Sequence, residues 1–390
     1  MSVTIEGVGL APEAVAAAEA YRHELRAWLD EHLTERYRGL EFSGAPTEDW
    51  LRRMREWNAL LAGVGYAAPS WPATWGGRDA GALEQLAHAE EMAAVGAPGP
   101  VNAVGIPNIA PAIMSFGTPE QQERLLRPLL RGEEIWCQGF SEPDAGSDLA
   151  SLRCAATIDG DHYVVNGQKT WTTLASVADW CELIVRTDPD AAKKHAGITA
   201  LLVDMRTPGI EVRPLRNMTG STEFCEVFFD DVRVPVTARL GDENAGWRVA
   251  TATLANERGG VAMLQLQLRK RIAGLIDDAQ AAGRTSDPRV RDRLARVWSS
   301  GELLRFLADR SIGRAAAGDP PGPESSIIKI AWSNTGQLLA EVASEVLGMG
   351  ALSGPWAERL TSARALSIAG GTTEVNRNIV AERVLGLPRG

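Results

Sequence analysis

The spacing of apolar residues changes twice along the chain, and this constrains the fold more than any other feature. Up to about Arg131, apolar residues recur every three or four positions, as in 16–33 and 49–61, which predicts helices. From 135 to 235, short β-branched and aromatic runs alternate with Gly, Asp and Pro, which predicts strands. After Gly246 the helical spacing returns. Segregated helices and strands predict an α+β multidomain protein.

The domain boundaries follow the same changes in pattern. A chain of 390 residues exceeds the usual size of one core, and we predict domains at 1–134, 135–242 and 243–390. Asn166-Gly167 is a turn dipeptide, so we place a turn there in a mostly antiparallel β domain. We predict the C-terminal helices at about 247–282, 287–318, 322–349 and 373–385, because Gly283 and the 318–323 segment interrupt the pattern.

Composition excludes several classes of protein. The net charge of −10, from 40 basic and 50 acidic residues, argues against nucleic acid as a partner. The four cysteines lack Cys-x-x-Cys spacing and the five histidines form no pair at helical spacing, so we expect buried thiols in a reducing compartment and no metal site. No basic start followed by an apolar run and no stretch of about twenty apolar residues occurs. We therefore expect a cytoplasmic protein without membrane insertion.

The run 136–148, Trp-Cys-Gln-Gly-Phe-Ser-Glu-Pro-Asp-Ala-Gly-Ser-Asp, is the most distinctive local pattern. A strand-like start passes into turn residues, among them Pro143 and Gly146. Ser141 and Ser147 offer hydroxyl groups there, and such a loop leaves backbone N–H groups free to meet a ligand. A surface turn with polar decoration is the plain alternative.

This run resembles the flavin-facing signature of the acyl-CoA dehydrogenases, Cys-x-x-(Ser/Thr)-Glu-Pro-x-Ala-Gly-Ser-Asp. Five further parts of the chain resemble family motifs in family order: 70–77, 117–122, 167–173 with 178–180, 228–235, and 371–377 with 381–386. Together they extend over nearly the whole chain. The resemblance implies an N-terminal α-helical domain, a central β-barrel domain and a C-terminal four-helix bundle, with FAD held between them.

The resemblance also implies which residues meet the cofactor. Trp171 is expected against the flavin ring, although a buried core tryptophan is the alternative, and Thr172 and Thr173 are expected at the ring edge. Ser147 is expected to approach the acyl thioester as well as FAD. The full implied cofactor set is Gln138, Ser141, Gly146, Ser147, Trp171, Thr172, Thr173, Thr372 and Glu374.

Glu257 interrupts an apolar stripe. Positions at alternating steps of four and three carry Ala250, Leu254, Glu257, Val261, Leu264 and Leu268, which share one helix face. A carboxylate on such a stripe is disfavoured in its charged form, so its pKa should rise from about 4.3 towards neutrality. That tuning suits a general base. An ion pair with Arg258, or with an arginine of a facing helix, is the alternative.

The family takes its catalytic glutamate from one of two positions. Most members place it just before the Gly-Thr of the C-terminal motif, where this chain has Gly370. Isovaleryl-CoA dehydrogenase-like members place it before an Arg on the first bundle helix, where this chain has Glu257 and Arg258. The resemblance thus implies Glu257 as the α-proton base, with Arg258 near the thioester ligand. The backbone N–H of Gly370, together with a flavin ribityl hydroxyl, would polarise the thioester carbonyl.

The implied reaction is α,β-dehydrogenation of an acyl-CoA to the trans-2-enoyl-CoA, with hydride transfer to flavin N5. Gly370 leaves volume where others keep a carboxylate, which favours a branched or bulky acyl group. An electron-transfer flavoprotein or a similar acceptor would reoxidise the flavin. A flavoenzyme acting on a carrier-protein-bound chain, or using flavin for oxygenation, is one alternative. A non-catalytic partner subunit is another.

Two family motifs are altered in this chain. The Arg-x-x-Phe-Gly-x-Pro loop, which reaches a neighbour's FAD, is replaced by 283–289, and Gln-x-x-Gly-Gly is changed at 345–349. Similar losses occur in heteromeric α2β2 acyl-CoA dehydrogenases of steroid side-chain degradation. We therefore expect a tetramer in which a sister subunit supplies the missing loop, with a homotetramer as the alternative.

Overall fold

The computed structural model describes residues 10–40, 46–259, 261–319 and 322–388, without the side chains of 257–262. The described helices are α1 (Pro12–His32), α2 (Glu48–Gly63), α3 (Ala82–Val95), α4 (Ala110–Phe116), α5 (Pro119–Arg131), α6 (Gly246–Gly259), α7 (Val261–Ala281), α8 (Pro288–Ala316), α9 (Ser325–Leu347), α10 (Gly354–Ser362) and α11 (Thr373–Ile379). The strands are β1 (Trp136–Gly139), β2 (Ala155–Asp159), β3 (His162–Thr173), β4 (Trp180–Arg186), β5 (Ile198–Asp204), β6 (Ile210–Leu215), β7 (Phe224–Pro235) and β8 (Arg239–Leu240).

The chain divides into two compact units. The first unit consists of Met1–Leu33, Ala80–Gly96 and Arg258–Gly390, and the second consists of Thr34–Asp79 and Ala97–Glu257. The order of helices, then strands, then helices matches the expected α+β class. Among the described residues, no helix combines the length and apolar character needed to cross a membrane.

The second unit is built around one eight-stranded sheet. The strand order is β6-β7-β3-β2-β4-β5-β8, and β1 adds to β4. Five of its strand pairs are antiparallel and two, β1–β4 and β2–β4, are parallel, so the prediction of a mostly antiparallel domain is confirmed. Leu201 of β5 and Val227 of β7 pack in the same core cluster. The sheet therefore curls around a single core, as a barrel does.

The turn predicted at Asn166-Gly167 is wrong. Strand β3 continues through both residues, and its register against β7 shifts between Val165 and Gly167. Gly167 has a φ of +147°, and a Cβ there would lie 2.7 Å from the Cα of Cys154. The glycine is thus needed for an irregularity and a close backbone approach inside one strand, not for a hairpin turn.

The first unit is helical. Helices α7, α8 and α9 share an apolar core that includes Leu268, Leu294, Val297, Leu304, Leu339 and Val342. Helices α1 and α3 are joined by buried charges, since the Arg22 Nη1 atom lies 2.7 Å from Glu91 Oε1. The helix predicted at 247–282 corresponds to α6 and α7, which lie on either side of position 260, outside the described residues. Helix α10 was not predicted, because the short segment between Gly354 and Ser362 lacks a long apolar repeat.

Asn102 connects the helical part of the second unit to its sheet. Its fully buried side chain donates to the carbonyls of Leu129 (2.9 Å) and Glu134 (2.7 Å) and accepts from the N–H of Trp136 (2.9 Å). These bonds hold the end of α5 against the first residue of β1. The carbonyl of Leu129 also accepts from the N–H of Gly132 (3.2 Å), whereas the buried N–H of Trp136 would lose its acceptor without Asn102. The contacts are therefore costly to lose.

Replacing Asn102 with Ala should lower the free energy of unfolding by about 2 kcal/mol, because the buried N–H of Trp136 loses its acceptor and two carbonyls each lose a donor. Urea denaturation followed by tryptophan fluorescence measures the change. The matched control is Asn166→Ala, which removes hydrogen bonds between exposed groups and should cost less than about 1 kcal/mol. Equal losses in the two variants would contradict this assignment.

Candidate functional site

The distinctive loop starts where β1 ends. β1 pairs in parallel with β4, and Gly139 lies opposite Leu183. A Cβ on Gly139 would come within 2.8 Å of Leu183 Cδ1 and 2.9 Å of Cys181 Sγ, so only glycine fits. The chain then turns back at once, since Glu142 and Ala145 exchange two backbone hydrogen bonds of 3.1 Å. The loop is therefore a built structure rather than a loose surface turn.

A buried ion pair holds this loop against β3. Lys169 is fully buried, and its Nζ donates to Glu142 Oε1 (2.8 Å) and to the carbonyl of Phe140 (3.0 Å). The carboxylate of Glu142 also accepts from the backbone N–H groups of Arg153 (2.7 Å) and Cys154 (2.9 Å). Both charged groups thus have hydrogen-bond partners, as buried charges require. The pair joins the loop to β3 and to the residues before β2.

A bulge in β3 presents Trp171 to solvent. Lys169 pairs with Val227 and Thr172 with Cys225, so Thr170 and Trp171 together lie opposite a single residue of β7. Trp171 has a φ of +59°, a left-handed conformation that is uncommon for a side chain of this size. Its side chain is 59% exposed, which rules out the core alternative. The freed N–H of Thr170 donates to the carbonyl of Ser141 (2.9 Å).

Polar groups around the bulge lack partners in the described part of the chain. Thr172 is 1% exposed, and its Oγ1 has no hydrogen-bond partner there. Ser141, half-buried, and Ser147, exposed, also make no side-chain bonds within the described ranges. The structure thus brings these residues together on β3 and the adjoining loop, with Gln138 on β1 and Thr173 beside Thr172.

Gly146, unlike Gly139, has open space around it. A Cβ on Gly146 would meet no atom within 4 Å, so packing inside the chain does not require glycine at this position.

The backbone of Glu257 lies in α6, one turn after Thr253. The side chains of Glu257 and Arg258 lie outside the described residues, so their predicted roles remain predictions. The predicted apolar stripe does not form one buried face. Ala250 and Leu268 are buried, whereas Leu264 is 36% exposed and the adjacent Gln265 is buried.

Glu182 is a buried acid that the sequence analysis missed. It lies in β4 with no exposed surface, and its Oε1 accepts a 2.8 Å hydrogen bond from the Thr253 hydroxyl of α6. Burial raises the pKa of this carboxyl to about 8. Its Oε2 has no partner among the described residues. The available signal was a carboxylate inside the otherwise apolar run of β4.

The C-terminal residues of the predicted site belong to the first unit. Gly370 and Gly371 have φ angles of +67° and +86°, which favour glycine. Thr372 caps α11 by accepting from the N–H of Val375 (3.2 Å), and buried Asn376 donates to the carbonyls of Gly371 (2.8 Å) and Thr372 (3.0 Å). Glu374 is exposed in the first turn of α11.

The two altered motifs border one cavity of the first unit. Its volume is about 420 Å³, and it is lined by Asp278, Ala282, Arg284, Val346, Leu347, Gly348, Gly350 and Trp356. The indole N–H of Trp356 donates to Asp278 Oδ2 (2.9 Å). The segments 283–289 and 345–349, distant in sequence, thus lie beside the same opening.

Comparisons with known proteins agree with these features. Three profiles match consecutive parts of the chain: the acyl-CoA dehydrogenase N-terminal domain over 16–133, the middle domain over 137–232 and the C-terminal domain over 244–385. The acyl-CoA dehydrogenase IpdE1 of Mycobacterium tuberculosis H37Rv is 39% identical over 381 residues, covering 95% of this chain and 98% of the relative.

Two solved structures are also similar over most of their length. The Tcur3481-Tcur3483 steroid ACAD has a TM-score of 0.84 at 30% identity, covering 96% of this chain and 98% of that chain. The ChsE4-ChsE5 complex of Mycobacterium tuberculosis has a TM-score of 0.82 at 32% identity, with both chains fully covered.

Glu182→Gln should change how stability depends on pH. Below about pH 4.5 the carboxyl is neutral in both the folded and the unfolded chain, so it has no effect on the pH dependence. Between there and about pH 8, the folded protein retains a proton that the unfolded chain releases. The free energy of unfolding of the wild type should therefore fall by up to about 1.4 kcal/mol per pH unit from this group, and the Gln variant should lack that loss.

Urea denaturation of both proteins at several pH values measures the difference. The free energy of unfolding of Glu182→Gln, relative to that of the wild type, should increase from pH 5 to pH 8. Above that pH the difference should stay constant, because Glu182 is then ionised in the folded protein too. Glu211→Gln, which changes an exposed carboxylate on β6, is the matched control and should show no such growth. A difference between wild type and Glu182→Gln that is constant with pH would contradict the neutral state of Glu182.

Proposed function

Since the chain belongs to the acyl-CoA dehydrogenase family and is thus an oxidoreductase acting on CH–CH donors, we propose that it converts an acyl-CoA to the trans-2-enoyl-CoA with FAD. The observation that carries the proposal is the polar surface beside exposed Trp171, where hydroxyl groups lack partners within the described structure. The buried pair of Lys169 and Glu142 holds that surface.

The residues present fit a flavin. The buried Thr172 Oγ1 needs a partner, and a cofactor edge with donors and acceptors would provide one. Trp171 would cover the ring face, and Ser141, Gly146 and Ser147 would contact the cofactor from the loop, with Gln138 and Thr173 beside them. Thr372 and Glu374 would add contacts from the C-terminal motif. Bound FAD supplies N5 as the hydride acceptor, and the protein supplies orientation and electrostatics.

We propose Glu257 as the base that removes the α-proton of the thioester. Helix α6, which carries it, is held within the second unit by Thr253, whose hydroxyl donates to Glu182 (2.8 Å), and by Asn256, whose Nδ2 is 3.5 Å from the carbonyl of Asn108. Gly370 has no side chain that could act as base. Its N–H would instead stabilise charge developing on the thioester oxygen, and Arg258 would contact the thioester ligand.

Glu257→Gln should abolish substrate-dependent bleaching of the flavin, because the amide cannot accept the α-proton. In anaerobic stopped-flow measurements with an acyl-CoA, the rate constant should fall at least about a thousandfold, while FAD content stays unchanged. Glu243→Gln, in the loop before α6, is the matched control and should reduce flavin at the wild-type rate. Bleaching of Glu257→Gln at the wild-type rate would remove Glu257 from the mechanism.

We further propose that a sister subunit completes the enzyme as a heterotetramer. The support is that both altered motifs border the 420 Å³ cavity of the first unit, where the family's usual loop is missing. The similar solved structures are a complex, ChsE4-ChsE5, and a pair, Tcur3481-Tcur3483, described as a steroid ACAD. We propose a bulky, branched or polycyclic acyl group as substrate, for which Gly370 leaves room, and an electron-transfer flavoprotein as acceptor.

Co-expression with candidate sister dehydrogenase genes tests the partner. The co-purified complex should contain FAD and be bleached by a bulky acyl-CoA, whereas the chain purified alone should hold little FAD because part of the cofactor site is missing. Flavin absorbance per chain and the mass of the complex are the measurements. A homo-oligomer of this chain alone with full FAD occupancy and turnover would contradict the proposal.

A further inference from the structure

Glu182 occupies an unusual position in the sheet. Its neighbours Cys181 and Leu183 point into the apolar core of the barrel, so Glu182, between them, lies on the opposite face of β4. Helix α6 covers that face, because the Thr253 hydroxyl reaches Glu182 Oε1 at 2.8 Å. Gln138 of β1 and Leu202 of β5 are its register partners on either side. The carboxyl is thus enclosed by two strands and one helix.

Among the side chains that the structure describes, none provides a countercharge for this carboxyl. β1 carries no acidic or basic side chain, and the acid of β5 is Asp204 at the far end of that strand. On α6 the charged residues are Arg248, which lies over the Phe116 ring, and Glu257 and Arg258, whose side chains are not described. Burial and the Thr253 hydroxyl are the influences on the pKa of Glu182, and burial dominates and raises it.

The pair of Glu182 and Thr253 is not needed to fill space. A leucine at 182 would fill the same position without the cost of burying a polar group. Thr253 could satisfy its hydroxyl within its own helix, since the carbonyl of Val249 lies 3.2 Å away. What the pair adds is a directional bond between β4 and the turn of α6 that precedes Glu257.

We propose that Glu182 is a positioning residue for the base: through Thr253 it fixes the rotation and height of α6, and thereby the placement of Glu257 one turn later. The inference rests on the proposed function, in which Glu257 removes the α-proton. Neutral Glu182 holds the helix, and an ionised Glu182 would draw water or move away from its apolar enclosure. Proton abstraction should therefore weaken when Glu182 loses its proton.

The test uses the FAD-loaded enzyme, co-purified with its sister subunit, in anaerobic stopped-flow reduction by acyl-CoA over pH 6–10. Glu182→Leu and Thr253→Val should lower the limiting rate constant about ten- to a hundredfold, since small misplacements of a catalytic group have effects of that size, with Kd for the acyl-CoA unchanged. Thr251→Val is the matched control, because within the described structure the Thr251 hydroxyl bonds inside its own helix, to the carbonyls of Trp247 and Arg248.

The pH profile separates positioning from a purely structural role. The limiting rate constant of flavin reduction in the wild type should decrease above about pH 8, where Glu182 ionises. Glu182→Gln keeps an oxygen that accepts from Thr253, so it should recover most of the rate lost in Glu182→Leu and should lack the alkaline decline. If Glu182→Leu does not fold, the limiting rate constant of Thr253→Val and the pH profile of Glu182→Gln still test whether Glu182 positions the base.

Wild-type limiting rates in Glu182→Leu or Thr253→Val, or an alkaline decline that persists in Glu182→Gln, would overturn the inference. In those cases Glu257→Gln would still abolish bleaching, and the proposed function would stand. If no acyl-CoA bleaches the wild-type complex, the proposed function fails and the inference fails with it. The two failures are therefore distinguishable.

Discussion

The buried ion pair of Lys169 and Glu142 is the interaction on which the proposed site depends. It joins the loop after β1 to the middle of β3, and the same carboxylate holds the backbone before β2. A buried charge pair is a poor source of stability, because desolvation cancels much of the attraction. Its value here is geometric: it sets the distance between the loop that carries Ser141 and the strand that carries Trp171.

The bulge in β3 follows from this arrangement. With Lys169 directed inward, the extra residue turns Trp171 outward and frees the N–H of Thr170 to bind Ser141. A second buried acid, Glu182, holds α6 on the other face of the same sheet. Both acids thus join a segment of the proposed site to the barrel, Glu142 as the charged partner of lysine and Glu182 as the acceptor of the Thr253 hydroxyl.

The sequence predicted the fold class, the mostly antiparallel sheet and most helices, because long repeats and family motifs carry that information. Predictions from residue spacing and local motifs were wrong or missing where a specific tertiary contact determined the structure. Asn166-Gly167 looks like a hairpin turn, yet the approach of Cys154 places Gly167 within a strand. The bond between Glu182 and Thr253 joins residues 71 positions apart, so no local pattern could reveal it. The exposure of Trp171 depended on a bulge that no spacing rule predicts.

The most direct test of this account replaces the ion pair with an apolar one. The double variant Lys169→Met with Glu142→Leu removes both charges together and should still fold. Its free energy of unfolding should fall by about 2–4 kcal/mol, because the N–H groups of Arg153 and Cys154 lose their acceptor. In the co-purified complex, its Kd for FAD, measured by titration after removal of the flavin, should rise at least about tenfold, because the loop loses its link to Arg153, Cys154 and Phe140. An unchanged Kd for FAD in the folded double variant would contradict the claim that the pair organises the flavin face.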